Sequence, residues 1–144
     1  EEDLEVTGHP VLTLHLASTH EDGAVFAYLE DVTPDGRVLY IGEGQLRLLH
    51  REISEEEPPF VTAGPYQSYK EEDAAPMTPG EVAEVTFALL PTSVLFKKGH
   101  RIRIAIGGAD FDTFARIPAQ GTPKWTVERG PSRASHILLP VIPR

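Results

Sequence analysis

Apolar and polar residues alternate with a period of two along most of this chain. In residues 9–18, Leu12, Leu14 and Leu16 fall on one side and Val11, Thr13 and His15 on the other, which predicts a half-buried strand. Residues 24–32 are rich in β-branched and aromatic types and predict a second strand. Thr33-Pro34-Asp35-Gly36 then reads as a tight turn, with Pro presetting φ and Gly free to take a positive φ. Residues 37–49 return as a third strand, where Gly42 and Gly44 predict a bulge or bend. These three strands are expected to form a meander with one well-marked hairpin. Residues 81–90 alternate again, placing Val85, Phe87 and Leu89 inward. In residues 101–106, Ile102, Ile104 and Ile106 oppose Arg101, Arg103 and Ala105, so the isoleucine face is expected in the core. Residues 125–129 and 136–142 read as the last strands. The pattern gives seven or eight strands and no helix beyond a single turn over 92–97. The expected fold class is all-β, a jelly-roll β-sandwich, in one domain over residues 1–144.

Two stretches break the alternation. Residues 50–80 hold an acidic run and several Pro and Gly, and residues 107–124 show no sustained period. Long irregular segments in a compact domain pack on something or carry function. Aromatic residues gather there. Tyr66, Tyr69, Phe111, Phe114 and Trp125 lie in or beside these segments, whereas Phe26, Tyr28 and Phe87 fall in strands and are expected in the core. The first five are candidates for a docking face between domains. Two other uses remain open, a sugar-stacking platform and rings that tuck their own loops onto the strands.

Composition narrows the partners. Net charge is −9, which argues against nucleic acid and anionic membranes, because phosphates would be repelled. The hydrophobic fraction of 40% supports a core, and one domain of this length buries about 70% of its unfolded surface. There is no cysteine, so disulfides and thiolate metal sites are excluded and redox chemistry does not fix the compartment. Glu-Glu-Asp-Leu-Glu is no signal peptide and no apolar run approaches a membrane span, but a signal could lie upstream of a fragment, so the location is open, with the cytoplasm favoured.

No catalytic constellation is legible. None of the serines sits in the Gly-x-Ser-x-Gly context that exposes a nucleophile on a strained elbow. Ser18, His20 and Asp22 are the three triad types close together, but a triad is assembled by the fold and not by adjacency in one loop. The six histidines are scattered and show no His-Glu-x-x-His pattern. Asp110 with Asp112, or Glu30 with Asp31 and Asp35, offer oxygen ligands for a structural calcium, yet no full set reads out. Neither metal nor cofactor is expected.

Several short motifs occur in a recognisable order. They are Thr7-Gly8-His9-Pro10 with Leu12 to Leu16, Leu29-Glu30-Asp31-Val32-Thr33-Pro34-Asp35-Gly36-Arg37, Gly44-Gln45-Leu46-Arg47 with His50-Arg51, and Pro79-Gly80-Glu81. The distal half adds Leu90-Pro91-Thr92-Ser93, Gly99-His100-Arg101-Ile102, Glu128 to Ser132 and Ser135 to Ile142. Over nearly its whole length the chain resembles the C-terminal, non-catalytic domain of the X-prolyl dipeptidyl-peptidase and cocaine-esterase family of serine hydrolases. The resemblance implies a jelly-roll, galactose-binding-like sandwich that follows an α/β-hydrolase domain and a helical cap. It implies packing against both and a share in shaping the substrate entrance. It also implies a parent acting on X-Pro peptides, α-amino acid esters, acylated β-lactams or other esters. No catalytic residue carries over, because neither the hydrolase domain nor its triad is present. The segment Ala109 to Arg116 is expected as a salt-bridged structural loop. Self-association into a homo-oligomer and a free-standing carbohydrate-binding module are the other readings.

Overall fold

The computed structural model describes residues 2–143 as an all-β chain of nine strands and two single 3-10 turns. The strands are β1 (Leu4–Gly8), β2 (Val11–Ser18), β3 (Ala24–Val32), β4 (Val38–Arg47), β5 (Val82–Ala88), β6 (Thr92–Phe96), β7 (Arg101–Gly107), β8 (Trp125–Glu128) and β9 (His136–Leu138). All pairings are antiparallel. One sheet runs β5-β2-β8, with β9 also on β2, a second runs β4-β3-β7, and β1 and β6 form a ribbon.

The leucine alternation of β2 is the spine of the core. Leu12, Leu14 and Leu16 lie opposite Phe87, Val85 and Ala83 of β5 on one face of the first sheet. They share a single apolar cluster with Val25, Ala27 and Leu29 of β3 and Leu46 of β4. The two sheets therefore meet face to face, and each fully buried leucine contributes about 1.5–3 kcal/mol by leaving water. Val6 of β1, Phe96 of β6 and Met77 from the long irregular segment join the same cluster.

Strands β8 and β9 occupy successive halves of one edge of β2. Ser135 closes the gap between them: its Oγ accepts from the His15 amide at 3.0 Å and donates to the Glu128 carbonyl at 2.6 Å. A backbone amide that would otherwise be orphaned by the interruption is thus satisfied.

The hairpin between β3 and β4 forms as its turn sequence predicts. The Gly36 amide donates to the Thr33 carbonyl at 2.9 Å, and Gly36 takes φ +88°. The predicted bulge lies at Ile41, where the register passes from Leu29–Gly42 to Glu30–Tyr40. Gly44 has a different role, close approach. A Cβ there would stand 2.8 Å from the Ala88 carbonyl oxygen and the Leu89 Cα, where β4 crosses the end of β5. The Leu90 amide donates to the Glu43 carbonyl at 2.7 Å across that crossing.

Four sequence expectations are corrected. β2 does not pair with β3, so the first three predicted strands are no meander: the chain crosses from one sheet to the other between them. Residues 92–96 form a strand on β1 in place of a helical turn, and β1 itself escaped the pattern. The isoleucines of β7 sit opposite Ala27, Leu29 and Asp31, on the inner face. However, β7 is an edge strand, so only Ile104 packs on the core while Ile102 and Ile106 stay 37% and 40% exposed. Phe26 is buried, but it shares the outer face of β3 with Tyr28 and belongs to a different packing unit.

Candidate functional site

The outer face of β3 and β4 would be solvent-exposed if the two irregular segments did not fold over it. Phe26, Tyr28 and Glu30 alternate with the core residues of β3 and point to this side. The 107–124 segment is fastened at two points. Phe114 packs on Phe26 with ring centroids 5.0 Å apart, and the Tyr28 hydroxyl donates to Asp110 Oδ2 at 2.8 Å. Desolvation, reinforced by the Asp110 carboxylate, pushes the Tyr28 phenol up to about 12. The expected salt-bridged loop is thus a hydrogen-bonded one: Arg116 bonds the Gly121 carbonyl and Thr122, and pairs with no acid among the described residues.

The 50–80 segment is held by buried polar groups. Gln67, 5% exposed, donates its amide to the Thr86 carbonyl of β5 at 2.8 Å. The Arg51 guanidinium donates to the carbonyls of Leu48 and Ala75. Phe60 meets Tyr66 edge-on at 5.8 Å. Tyr69 is the outlier: it takes φ +55°, leans its ring on His50 at 5.4 Å, and leaves 58% of itself exposed. A left-handed conformation in a bulky residue costs about 1–2 kcal/mol and marks a position over-determined by its surroundings. Partial desolvation raises its phenol above the ordinary value.

Between the segments the surface is grooved. One hollow of about 370 Å³ is lined by Phe26, Phe114, Ile117, Gln45 and Tyr69. A neighbouring one of about 380 Å³ is lined by Phe60, Tyr66, Phe87, Gln45 and Tyr69. Gln45 and Tyr69 belong to both, so the two hollows form one trough with the exposed Gln45 side chain on its floor.

Of the five sequence candidates, Tyr66, Tyr69 and Phe114 come together in this trough. Phe111 stands 94% exposed and lines neither hollow. Trp125 lines a neighbouring hollow with Ala109, Arg116 and Ile117, the last of which also lines the Phe26–Phe114 hollow, and its ring is packed where a Cβ on Gly108 would come within 3.2 Å. Its indole nitrogen is buried with no acceptor among the described residues, as is Nδ1 of His50. Trp125 thus lines a different hollow from Tyr66 and Tyr69. Phe60 and Val61 were not singled out from sequence, and Gln45 entered only as part of the Gly44–Arg47 motif. Phe60 and Val61, 60% and 104% exposed, follow Pro58-Pro59, so an apolar pair after a rigid diproline in a polar loop was the available signal.

The other candidate chemistry is spent on structure. Ser18 is buried and its Oγ accepts from the His20 amide, while the His20 ring bonds Thr19 and Asp22 pairs with Arg47. The three residues do not form a triad. Glu30 pairs with Arg103, and both oxygens of the buried Asp31 lie 2.9 Å from His100 Nδ1. Asp35 accepts from Thr33. No three His, Asp or Glu side chains among the described residues gather as a metal set.

Comparison with known proteins places this architecture. Residues 1–138 match the family model of the X-Pro dipeptidyl-peptidase C-terminal non-catalytic domain. The chain belongs to that family. This C-terminal domain is 55% identical over 139 residues to a Mycobacterium bovis protein provisionally named a serine esterase, covering 96% of the chain and 22% of the relative. It is 31% identical over 153 residues to the cocaine esterase of a Rhodococcus species, covering 98% of the chain and 24% of that enzyme. A CocE/NonD family hydrolase of Staphylococcus aureus shares the fold with a TM-score of 0.77 at 21% identity, over 99% of this chain and 29% of that one. The domain thus spans about a fifth to a quarter of the length of the curated relatives it matches. In them it is one part of a larger protein.

Proposed function

We propose that this domain is the C-terminal accessory part of a larger serine hydrolase, and that the Tyr69 trough is its docking face. It packs there on the catalytic α/β-hydrolase and cap domains and helps shape the substrate entrance, while the chemistry lies outside this chain. Two antiparallel sheets around one core, with fold-level likeness to a CocE/NonD hydrolase, favour a jelly-roll, galactose-binding-like sandwich. The observation that carries the docking reading is the trough: aromatic rings from both irregular segments line it, and Phe60 and Tyr69 remain more than half exposed. Exposed apolar patches of this kind on a small domain mark surfaces that another surface covers. An esterase or X-Pro peptidase parent is supported by the esterase names of the relatives and by the family's description.

The test uses the mycobacterial relative with its matching C-terminal segment removed. Added in trans, this chain is expected to co-elute with the truncated enzyme and to raise its hydrolysis of p-nitrophenyl esters, while hydrolysing none alone. A chain that fails to bind the truncated enzyme at micromolar concentration refutes the docking role.

A further inference from the structure

The trough does not stop at the aromatic hollow. Ser68 lines that hollow and also a third one, of about 360 Å³, whose walls include Glu52, Glu55, Glu56 and Asp73. Apolar, aromatic and acidic hollows therefore follow one another as a graded series, joined by Gln45 and Tyr69 at one step and by Ser68 at the next. Local links draw the acidic segments together: the Ser68 hydroxyl donates to Asp73, and Lys70 Nζ holds both oxygens of Glu56 at 2.7 Å. Glu72 and Asp73 also act on the Lys70 ammonium and, behind the Glu56 bond, help to raise its pKa.

The cations at this end are already used. Lys70 serves Glu56, and Arg51 serves Glu52 at 3.2 Å. Glu55, Glu57 and Glu71 lie exposed with no ion pair among the described residues. A purely apolar partner seated on the trough would bring low-dielectric surface up to these carboxylates and weaken their hydration, which is unfavourable unless counter-charges arrive with it. Charge complementarity thus selects the occupant.

Resting on the docking reading above, we infer that the trough takes a partner surface of polarised chemistry. Its apolar end seats over Phe26 and Phe114, a hydrogen-bonding middle meets the Gln45 amide, and lysine or arginine side chains face Glu55 and its neighbour Glu57. The aromatic part supplies hold, and the acidic part sets orientation and association rate, as exposed complementary charges do.

The experiment measures binding of this chain to the truncated mycobacterial relative, whose folding is first checked by circular dichroism, between ~50 mM and ~500 mM NaCl, a range over which the Debye length falls severalfold. The wild-type chain is expected to bind about tenfold more weakly at the high salt, mainly through a slower on-rate. Glu55→Lys/Glu57→Lys, confirmed folded by the same spectrum, is expected to lose about tenfold at low salt and most of its salt dependence. Tyr69→Ala weakens binding at every salt concentration and leaves the slope unchanged. Wild-type binding that is tight but insensitive to salt, or unaffected by the charge reversal, overturns the inference and leaves the docking reading standing. Absence of wild-type binding at all salt concentrations sinks the docking reading itself, and this inference with it.

Discussion

The Tyr28–Asp110 hydrogen bond is the sharpest point at which to test how the 107–124 segment is fastened. Tyr28→Phe keeps the ring and removes the O–H donor to Asp110 Oδ2. Hydrogen bonds to charged groups contribute about 1.5–3 kcal/mol, and because Tyr28 is only half-buried the lower end, about 1.5 kcal/mol, is expected. The pH dependence reports the phenol, whose ionisation is opposed first by desolvation and then by the Asp110 bond. The folded pKa is raised to about 12 from 10.0, so the protonated phenol is favoured in the native state. Its contribution is therefore complete below about pH 10 and disappears as pH rises through about 12, a loss of roughly 1.4 kcal/mol by about pH 11. Urea unfolding followed by circular dichroism at about pH 8 and about pH 11 should show the gap between wild type and Tyr28→Phe shrinking by that amount. Phenolate absorbance should show the highest-pH ionisation missing in Tyr28→Phe. In Asp110→Asn that ionisation should move down yet stay above the ordinary range, because desolvation is the largest cause and survives the substitution. A gap that stays constant with pH, or phenols that all titrate normally, would refute this account of the tether.

Three further outcomes follow from packing and strain. Gly44→Ala should cost about 1–3 kcal/mol in urea unfolding, since its Cβ would lie 2.8 Å from backbone atoms of Ala88 and Leu89, which cannot swing aside as a side-chain tip could. His100→Ala should destabilise by about 3–5 kcal/mol by leaving the 4%-exposed Asp31 carboxylate without its partner. Removing both, as Asp31→Ala/His100→Ala, should recover part of that loss; if the double variant is worse than the sum of the singles, the buried-charge explanation fails. Tyr69→Gly should leave stability unchanged or raise it by up to about 1 kcal/mol through relief of the φ +55° backbone, while weakening docking. A large loss of stability there would mean that the ring serves the fold and not a partner.

What the sequence determined by itself is the set of strands that the period-two rule reaches. Leu12, Leu14 and Leu16, the run Val25 to Leu29, the Thr33–Gly36 turn and the bulge beside Gly42 all follow from residues adjacent in the chain, whose side-chain directions are set locally by the pleat. The ordered motifs likewise identified the family, whose model matches residues 1–138. Tertiary structure decided everything that depends on which strand lies next to which. Whether Ile102 and Ile106 are core or edge depends on β7 lacking a second neighbour, and periodicity carries no information about neighbours. Phe26 and Phe114 are 88 positions apart in sequence and meet only because a loop folds back over the outer face of β3. The candidate site shows the same division. Sequence placed Tyr66, Tyr69 and Phe114 on irregular segments, but only the crossing of those segments over Gln45 joined them, left Phe111 outside, and turned Trp125 into packing. The physical reason is that alternation is a one-residue property of the backbone, whereas a surface is made by long-range contacts whose register no local rule specifies.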